Sequence, residues 1–331
     1  HQIIEVSNKT SRFFYSEQLL QLVITYQIHI FIYLYKFSYN NNNSLPFQLM
    51  KTSIPTFFQK TILFFILLIA TSAVGQKSTY ESPYLIQWKV DGPLLGGALL
   101  SYGLGLNKIV SLGEPSEESV LNLDKNDLKL KINRTITGQS SEKANAASDV
   151  VLFASYGGAA ALFAGSKKVR NNLLPTIVVF AEGYLYVRAT TFLLKSTVLR
   201  FRPFAYNKDL PFKERQTKGA TTSFISGHAS TSTYMYFSTA KIFADHYPNA
   251  KAKPYIWTGA ASLSLLTSYL RTQAGKHFVE DVAGGFAVGA LFGILVPHFH
   301  KKAKEKSINQ AKKTSLKIYP AEGGMLLSLK F

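Results

Sequence analysis

The sequence predicts an all-α fold, a bundle of five or six core helices embedded in a membrane. Apolar runs of helical length recur between residues 148 and 300, and short clusters of Lys and Arg separate them at alternate ends. In the last run Gly285, Gly289 and Gly293 recur every fourth residue, giving one smooth face along which another helix can approach closely. Several runs are near the lower limit of about 17 residues for a span, so a soluble helical bundle is the alternative.

The chain divides into five segments. Residues 1–49 begin with His, mix aromatic, Asn-rich and apolar tracts without a period, and read as translated upstream sequence or a disordered stretch. In residues 50–75, Lys51 and Lys60 form a basic start, ILFFILLIA an apolar run and TSAVG a small-residue cleavage site. This is a signal peptide with the mature chain starting near Gln76, or, in a second reading, a retained membrane anchor. Residues 76–147 hold a lead-in segment, whose glycines favour an interfacial or packed helix over an isolated span, and a polar periplasmic loop with one short helix.

Segment 148–300 holds the apolar runs of the expected bundle. Ser148 or Asp149 caps its first apolar run, which ends in the basic turn SKKVRNN. The helix from Leu173 to Leu199 carries Glu182 and Arg188, which in apolar surroundings must pair or face a cavity. Six residues apart, they lie on different faces, so separate partners are expected. A polar loop from Arg200 to Ser226 precedes helices at His228–His246, Pro254–Leu270 and Phe278–His298. The basic tail, residues 301–331, alternates weakly around Glu322-Gly323-Gly324 and predicts a small hairpin.

Thirty-seven Lys and Arg against 19 Asp and Glu leave a formal charge of +18, which suits nucleic acid, an anionic membrane surface or an anionic substrate. The clusters Lys167, Lys168, Arg170; Lys251, Lys253; and Lys301, Lys302, Lys304, Lys306 sit between apolar segments and beside no nucleic-acid motif, so membrane topology explains them better. Short cytoplasmic loops collect basic residues. That places these clusters inside and Lys195–Ser226 and Arg271–His277 on the periplasmic side with Gln76, provided residues 92–112 do not cross. The chain has no cysteine, so disulfides, zinc thiolates and Cys nucleophiles are excluded.

Three polar clusters interrupt the helices at one common end. Lys195 is followed by Arg202-Pro203, a point charge and a bidentate fork suited to phosphate oxygens. Ser226-Gly227-His228 opens a helix with a hydroxyl, a bare glycine and an imidazole at the positive end of the dipole. Arg271, His277 and Asp281 form the third; four residues apart, the carboxylate can reach one ring nitrogen of His277 and leave the other free. Each cluster alone is as well explained by helix caps or snorkelling charges.

In this order and spacing the three clusters resemble the signatures of the type 2 phosphatidic acid phosphatase (PAP2) superfamily, over roughly residues 148–300. That superfamily also contains bacterial class A acid phosphatases and vanadium haloperoxidases. The resemblance implies that His277 attacks phosphorus, that Asp281 orients its ring, and that His228 protonates the leaving oxygen and later activates water. Lys195, Arg202, Arg271, Ser226 and the Gly227 N–H would hold the phosphate oxygens. Ile225 stands where the family usually has Pro, and Leu270 where it usually has Ser, which removes one expected phosphate contact. No metal or cofactor is implied; His298 and His300 lie in a basic tail without carboxylate partners in sequence.

The expected substrate is a lipid phosphate or pyrophosphate at a bacterial inner membrane with the site facing the periplasm: a prenyl pyrophosphate, phosphatidic acid, phosphatidylglycerol phosphate or lipid A phosphate. A soluble periplasmic phosphatase of small phosphomonoesters is the alternative, and a vanadate-dependent haloperoxidase a remote one. No nucleic acid and no obligate protein partner are expected.

Overall fold

The computed structural model describes residues 81–313, 315–321 and 324–330. Segments 1–49 and 50–75, Gln76, and the hairpin positions Glu322 and Gly323 lie outside the described residues. Six long helices build the bundle: α1 (Trp88–Ser111), α4 (Glu142–Gly165), α6 (Leu173–Thr197), α9 (Gly227–His246), α10 (Lys253–Gln273) and α11 (Val279–Lys313). Short helices fill the connections: α2 (Glu117–Leu121), a 3₁₀ turn at Lys125–Asp127, α3 (Lys131–Ile136), α5 (Lys167–Asn171), α7 (Pro203–Tyr206) and α8 (Phe212–Arg215). In the tail β1 (Ser315–Ala321) pairs antiparallel with β2 (Gly324–Lys330), the hairpin expected there.

Helix α9 is the axis of the bundle, packed against α4, α6, α10 and α11. Its sequence is not strongly apolar. Ser230, Ser232, Thr233 and Ser238 are fully buried, and serine hydroxyls bond back to carbonyls within their own helix, Ser230 to Gly227 O at 3.2 Å and Ser232 to Ala229 O at 3.4 Å. Such small residues let neighbours come close, and the serine hydroxyls are satisfied within the helix, while Thr231 Oγ1 and Thr233 Oγ1 have no hydrogen-bond partner among the described residues. The larger core side chains sit towards the other half of the bundle, where Tyr234 packs with Phe180, Val179, Val187 and Ile242, its hydroxyl bonded to the Phe180 carbonyl.

The glycine face of α11 meets this helix. A Cβ on Gly285 would lie 2.7 Å from Ser226 O, and one on Gly289 would lie 2.4 Å from Ser230 O. These obstacles are backbone atoms and cannot rotate away. Close approach of α9 and α11 therefore requires glycine at both positions.

Among the described residues three helices are long and apolar enough to cross a membrane: Glu142–Gly165, Leu173–Thr197 and Val279–Asn309. Large apolar side chains of several bundle helices point outward, among them Leu100, Val150, Leu265 and Leu291, as a lipid-facing surface requires. The expected partition of Glu182 and Arg188 is present. Glu182 meets His300 at 3.0 Å, while Arg188 lies over the Phe192 ring at 4.6 Å.

The basic clusters share one end of the bundle. Lys168 Nζ donates to His246 O at 3.3 Å, Ser166 and Tyr247 join hydroxyls at 2.8 Å, and Lys301 pairs with Asp245 at 3.2 Å. Glu81 belongs to this same end, since its carboxylate meets Lys304 Nζ at 2.8 Å and Leu85 N bonds to His300 O nearby. From there α1 runs along α6 to the opposite end, where a Cβ on Gly105 would lie 2.8 Å from the Phe192 carbonyl carbon. Helix α1 thus runs the length of the bundle, although it is not among the described helices long and apolar enough to cross a membrane, and Gln76 lies outside the described residues. Gly105 seats α1 against α6, giving the packed helix expected for this segment.

Two helix boundaries also differ. Helix α4 starts at Glu142, with Ser141 capping Ala144 N at 3.1 Å, so Ser148 and Asp149 are interior residues. Helix α11 continues past His298 to Lys313, carrying Pro297 inside it.

Replacing Gly289 by Ala should destabilise the protein by about 1–3 kcal/mol, because the bundle must open to admit the methyl. Gly259→Ala in α10, where a Cβ meets nothing within 4 Å, should leave the melting temperature unchanged or raise it. Thermal unfolding of the two variants in detergent checks the contrast.

Candidate active site

The three polar clusters meet where α6 ends and α9 and α11 begin. Lys195 lies in the last turn of α6, Arg271 in the last turn of α10, and His277 in the turn before α11, whose first turn carries Asp281. Pro203 at the first position of α7 fits the extended backbone of Arg202. A short ladder ties that stretch to the far end of its loop: Arg200 N to Thr221 O at 2.9 Å, Arg202 N to Ala220 O at 2.7 Å and Ser223 N to Arg200 O at 3.0 Å. Ser226 caps α9 by accepting from Ala229 N at 3.3 Å.

Asp281 is the hub. One oxygen takes Arg200 Nη1 at 2.8 Å, and the other accepts from Ser223 Oγ at 2.5 Å and from Phe278 N at 2.9 Å. Its main-chain carbonyl accepts Ser226 N at 2.9 Å. The side chain is fully buried, so these bonds offset the desolvation of a charge. His277 Nδ1 lies 3.7 Å from the carboxylate. The expected carboxylate–imidazole pairing is thus an ion-pair approach, longer than a hydrogen bond, because both oxygens are already engaged. The geometry nonetheless turns Nε2 away from Asp281.

Around His277 the site is positive. Lys195 is buried and its ammonium donates to Thr222 O at 2.6 Å; Arg202 Nη2 lies 3.4 Å from the same carbonyl. A Cβ on Gly227 would sit 3.8 Å from the Lys195 chain, which brings the second cluster beside the first. Arg271 Nη1 donates to Asn145 Oδ1 at 2.8 Å and to Ser148 Oγ at 3.1 Å. Burial pushes the Arg202 guanidinium down to about 10, against the pull of Asp281, so it stays charged at neutral pH. Burial, reinforced by the charges of Arg202, Lys195 and Arg271 and by His228, holds His277 well below the usual histidine range.

Three buried nitrogens of this cluster, Arg202 Nε, Arg271 Nε and His277 Nδ1, have no hydrogen-bond partner among the described residues. Buried donors without partners are costly and rare. Their concentration around one histidine, among fixed cations, suits a compact anion with several acceptor oxygens.

His228 Nε2 donates to Asp149 Oδ1 at 2.7 Å. Asp149 thus belongs to the site, as do Asn145 and Ser148, which hold Arg271. Their signal was present: positions 145, 148 and 149 form a polar stripe at helical spacing in an apolar run. Arg200 and Ser223 carried no comparable signal. Of the two departures from the family pattern, Ile225 is buried and packs beside Gly284, while Leu270 is partly exposed.

The profile of the PAP2 superfamily matches residues 176–305. Phosphatidylglycerophosphatase B of Bacillus subtilis is 31% identical over 150 residues, 40% of this chain and 70% of that protein. The lipid A 4'-phosphatase of Porphyromonas gingivalis is 30% identical over 89 residues, 27% of this chain and 34% of that protein. Among solved structures, a transmembrane PAP2 type phosphatidylglycerolphosphate phosphatase from Bacillus subtilis superposes with a TM-score of 0.36 at 22% identity, over 73% of this chain and 95% of that one. With the profile match and a relative that is 31% identical and covered over 70% of its length, the chain belongs to the PAP2 superfamily.

Proposed function

We propose that this protein is a metal-independent phosphatase that hydrolyses a lipid phosphate or pyrophosphate through a phosphohistidine at His277. The observation that carries the reading is the pair of partnerless buried guanidinium nitrogens, Arg202 Nε and Arg271 Nε, which with Lys195 surround His277 and which a phosphate would satisfy. His277 Nε2 forms the N–P bond while the P–O bond to the leaving group breaks, and the electron pair departs with the oxygen. His228, held through Nε2 by Asp149, gives that oxygen a proton from Nδ1. It then takes a proton from the water that attacks phosphorus and releases His277. Lys195, Arg202, Arg271, Ser226 and the Gly227 N–H bind the remaining oxygens as charge develops.

A lipid substrate is favoured over a small soluble phosphomonoester by the three apolar helices of spanning length, and the two relatives act, by name, on phosphatidylglycerophosphate and lipid A. The basic clusters at the end away from the site fit a bacterial inner membrane, with those clusters in the cytoplasm and the site at the periplasmic face.

Detergent-purified protein should release phosphate from phosphatidylglycerol phosphate, a prenyl pyrophosphate or phosphatidic acid with EDTA present, and more slowly from phenyl phosphate. His277→Ala should lower the rate by at least about 10³-fold. Full activity in that variant, or no release from any of the four, contradicts the assignment.

The low proton affinity of His277 keeps its lone pair available into acid. Removing a neighbouring positive charge raises that affinity, so Arg202→Gln should lower kcat/KM and shift its acid limb to higher pH. A pH–rate profile of kcat/KM for both proteins measures the displacement; an unmoved or acid-shifted limb would show that Arg202 does not set the state of His277.

A further inference from the structure

Away from the catalytic end, three buried side chains from three helices converge: Asp91 of α1, Glu182 of α6 and His300 of α11. One ligand atom from each lies within 4.8 Å of the others, and His300 Nε2 is 3.0 Å from Glu182 Oε2. His300 is 21 residues beyond Val279, so the cluster sits about 30 Å along α11 from the site. The mechanism uses none of these groups.

Their orientation is that of a ligand set. His300 Nδ1 lies 2.9 Å from the Leu85 carbonyl, which only accepts, so Nδ1 carries a proton. Nε2 faces Glu182 Oε2, and a cation that displaces its proton would meet this nitrogen and the carboxylates together. A carbonyl on one imidazole nitrogen and a metal on the other is the usual arrangement of a histidine ligand. Outer partners hold both acids: Tyr186 OH bonds to Glu182 Oε1, and Gln87 N donates to Asp91 Oδ2 at 2.6 Å. The lysines of this region are engaged elsewhere, Lys301 by Asp245 and Lys304 by Glu81.

We infer that Asp91, Glu182 and His300 bind a divalent first-row metal ion, zinc or manganese, which staples α1 to α6 and α11. One imidazole and two carboxylates match the donor preference of these ions. The site is structural, because the phosphate pocket lies at the other end of the bundle. Sequence reading set His300 aside for want of acidic partners; the fold supplies them from positions 118 and 209 residues earlier.

The test is metal content, by mass spectrometry, and thermal unfolding of detergent-purified protein after dialysis against EDTA, then against ZnCl2 or MnCl2. Wild type should retain about one ion per chain and melt about 5 °C higher with the ion than without it. His277→Ala should bind equally, which separates this site from the catalytic one. Glu182→Gln and His300→Ala should lose the ion. Asp91→Asn can keep the contact with Gln87 N and removes a buried like charge; in EDTA it should melt no lower than wild type, yet gain nothing from metal. Wild type without stoichiometric metal, or variants that respond as wild type does, would overturn the inference.

Discussion

The carboxylate of Asp281 is the interaction on which the rest of the site depends. It binds Arg200 from the loop after α6, Ser223 from the loop before α9 and the Phe278 amide at the start of α11. Its main-chain carbonyl receives Ser226 N, the cap of α9. One buried anion thus joins all three clusters. It is also a counter-charge to Arg202, opposing the effect of burial on that guanidinium. A carboxylate so fully engaged works less as a proton relay than as the fixed point around which the cations are arranged.

The bundle accommodates this concentration of buried charge by close packing behind it. The central helix is rich in serine and threonine, whose small side chains allow close approach, and the glycine face of α11 brings its backbone within reach of α9. This contact begins at Ser226 and Gly285, beside Asp281. Packing and catalysis therefore share a register: movement of α11 along α9 would displace His277 and Asp281 relative to Ser226 and His228. Preorganised cations are effective because the protein, and not the substrate, bears the cost of holding them in place.

Much of this was legible in the sequence. Helix number and the meeting of the three clusters follow from apolar period and motif spacing. What escaped were groups acting across long sequence distances. Asp149 and Asn145 reach His228 and Arg271 over 79 and 126 residues, and Glu182 reaches His300 over 118. A cap and a solvated tail were the economical local readings of Asp149 and His300, but packing determined their partners. Helix α1 is the packed helix its glycines suggested: glycine lowers intrinsic helix propensity, yet at Gly105 it permits close contact with α6. Arg200 and Ser223 lie in a polar loop where no periodicity separates a site residue from a solvated one.

The central claim is that the cluster around His277 is a preformed receptor for a tetrahedral phosphate-like anion. Calorimetric titration of the detergent-purified protein with orthovanadate tests it without turnover. The account predicts saturable binding of one anion per chain, at least about tenfold weaker in Arg271→Gln because a charge-assisted contact is lost, and unchanged by sulfate-free buffer exchange or EDTA. Absence of binding to the wild type, or equal binding by the variant, would contradict it.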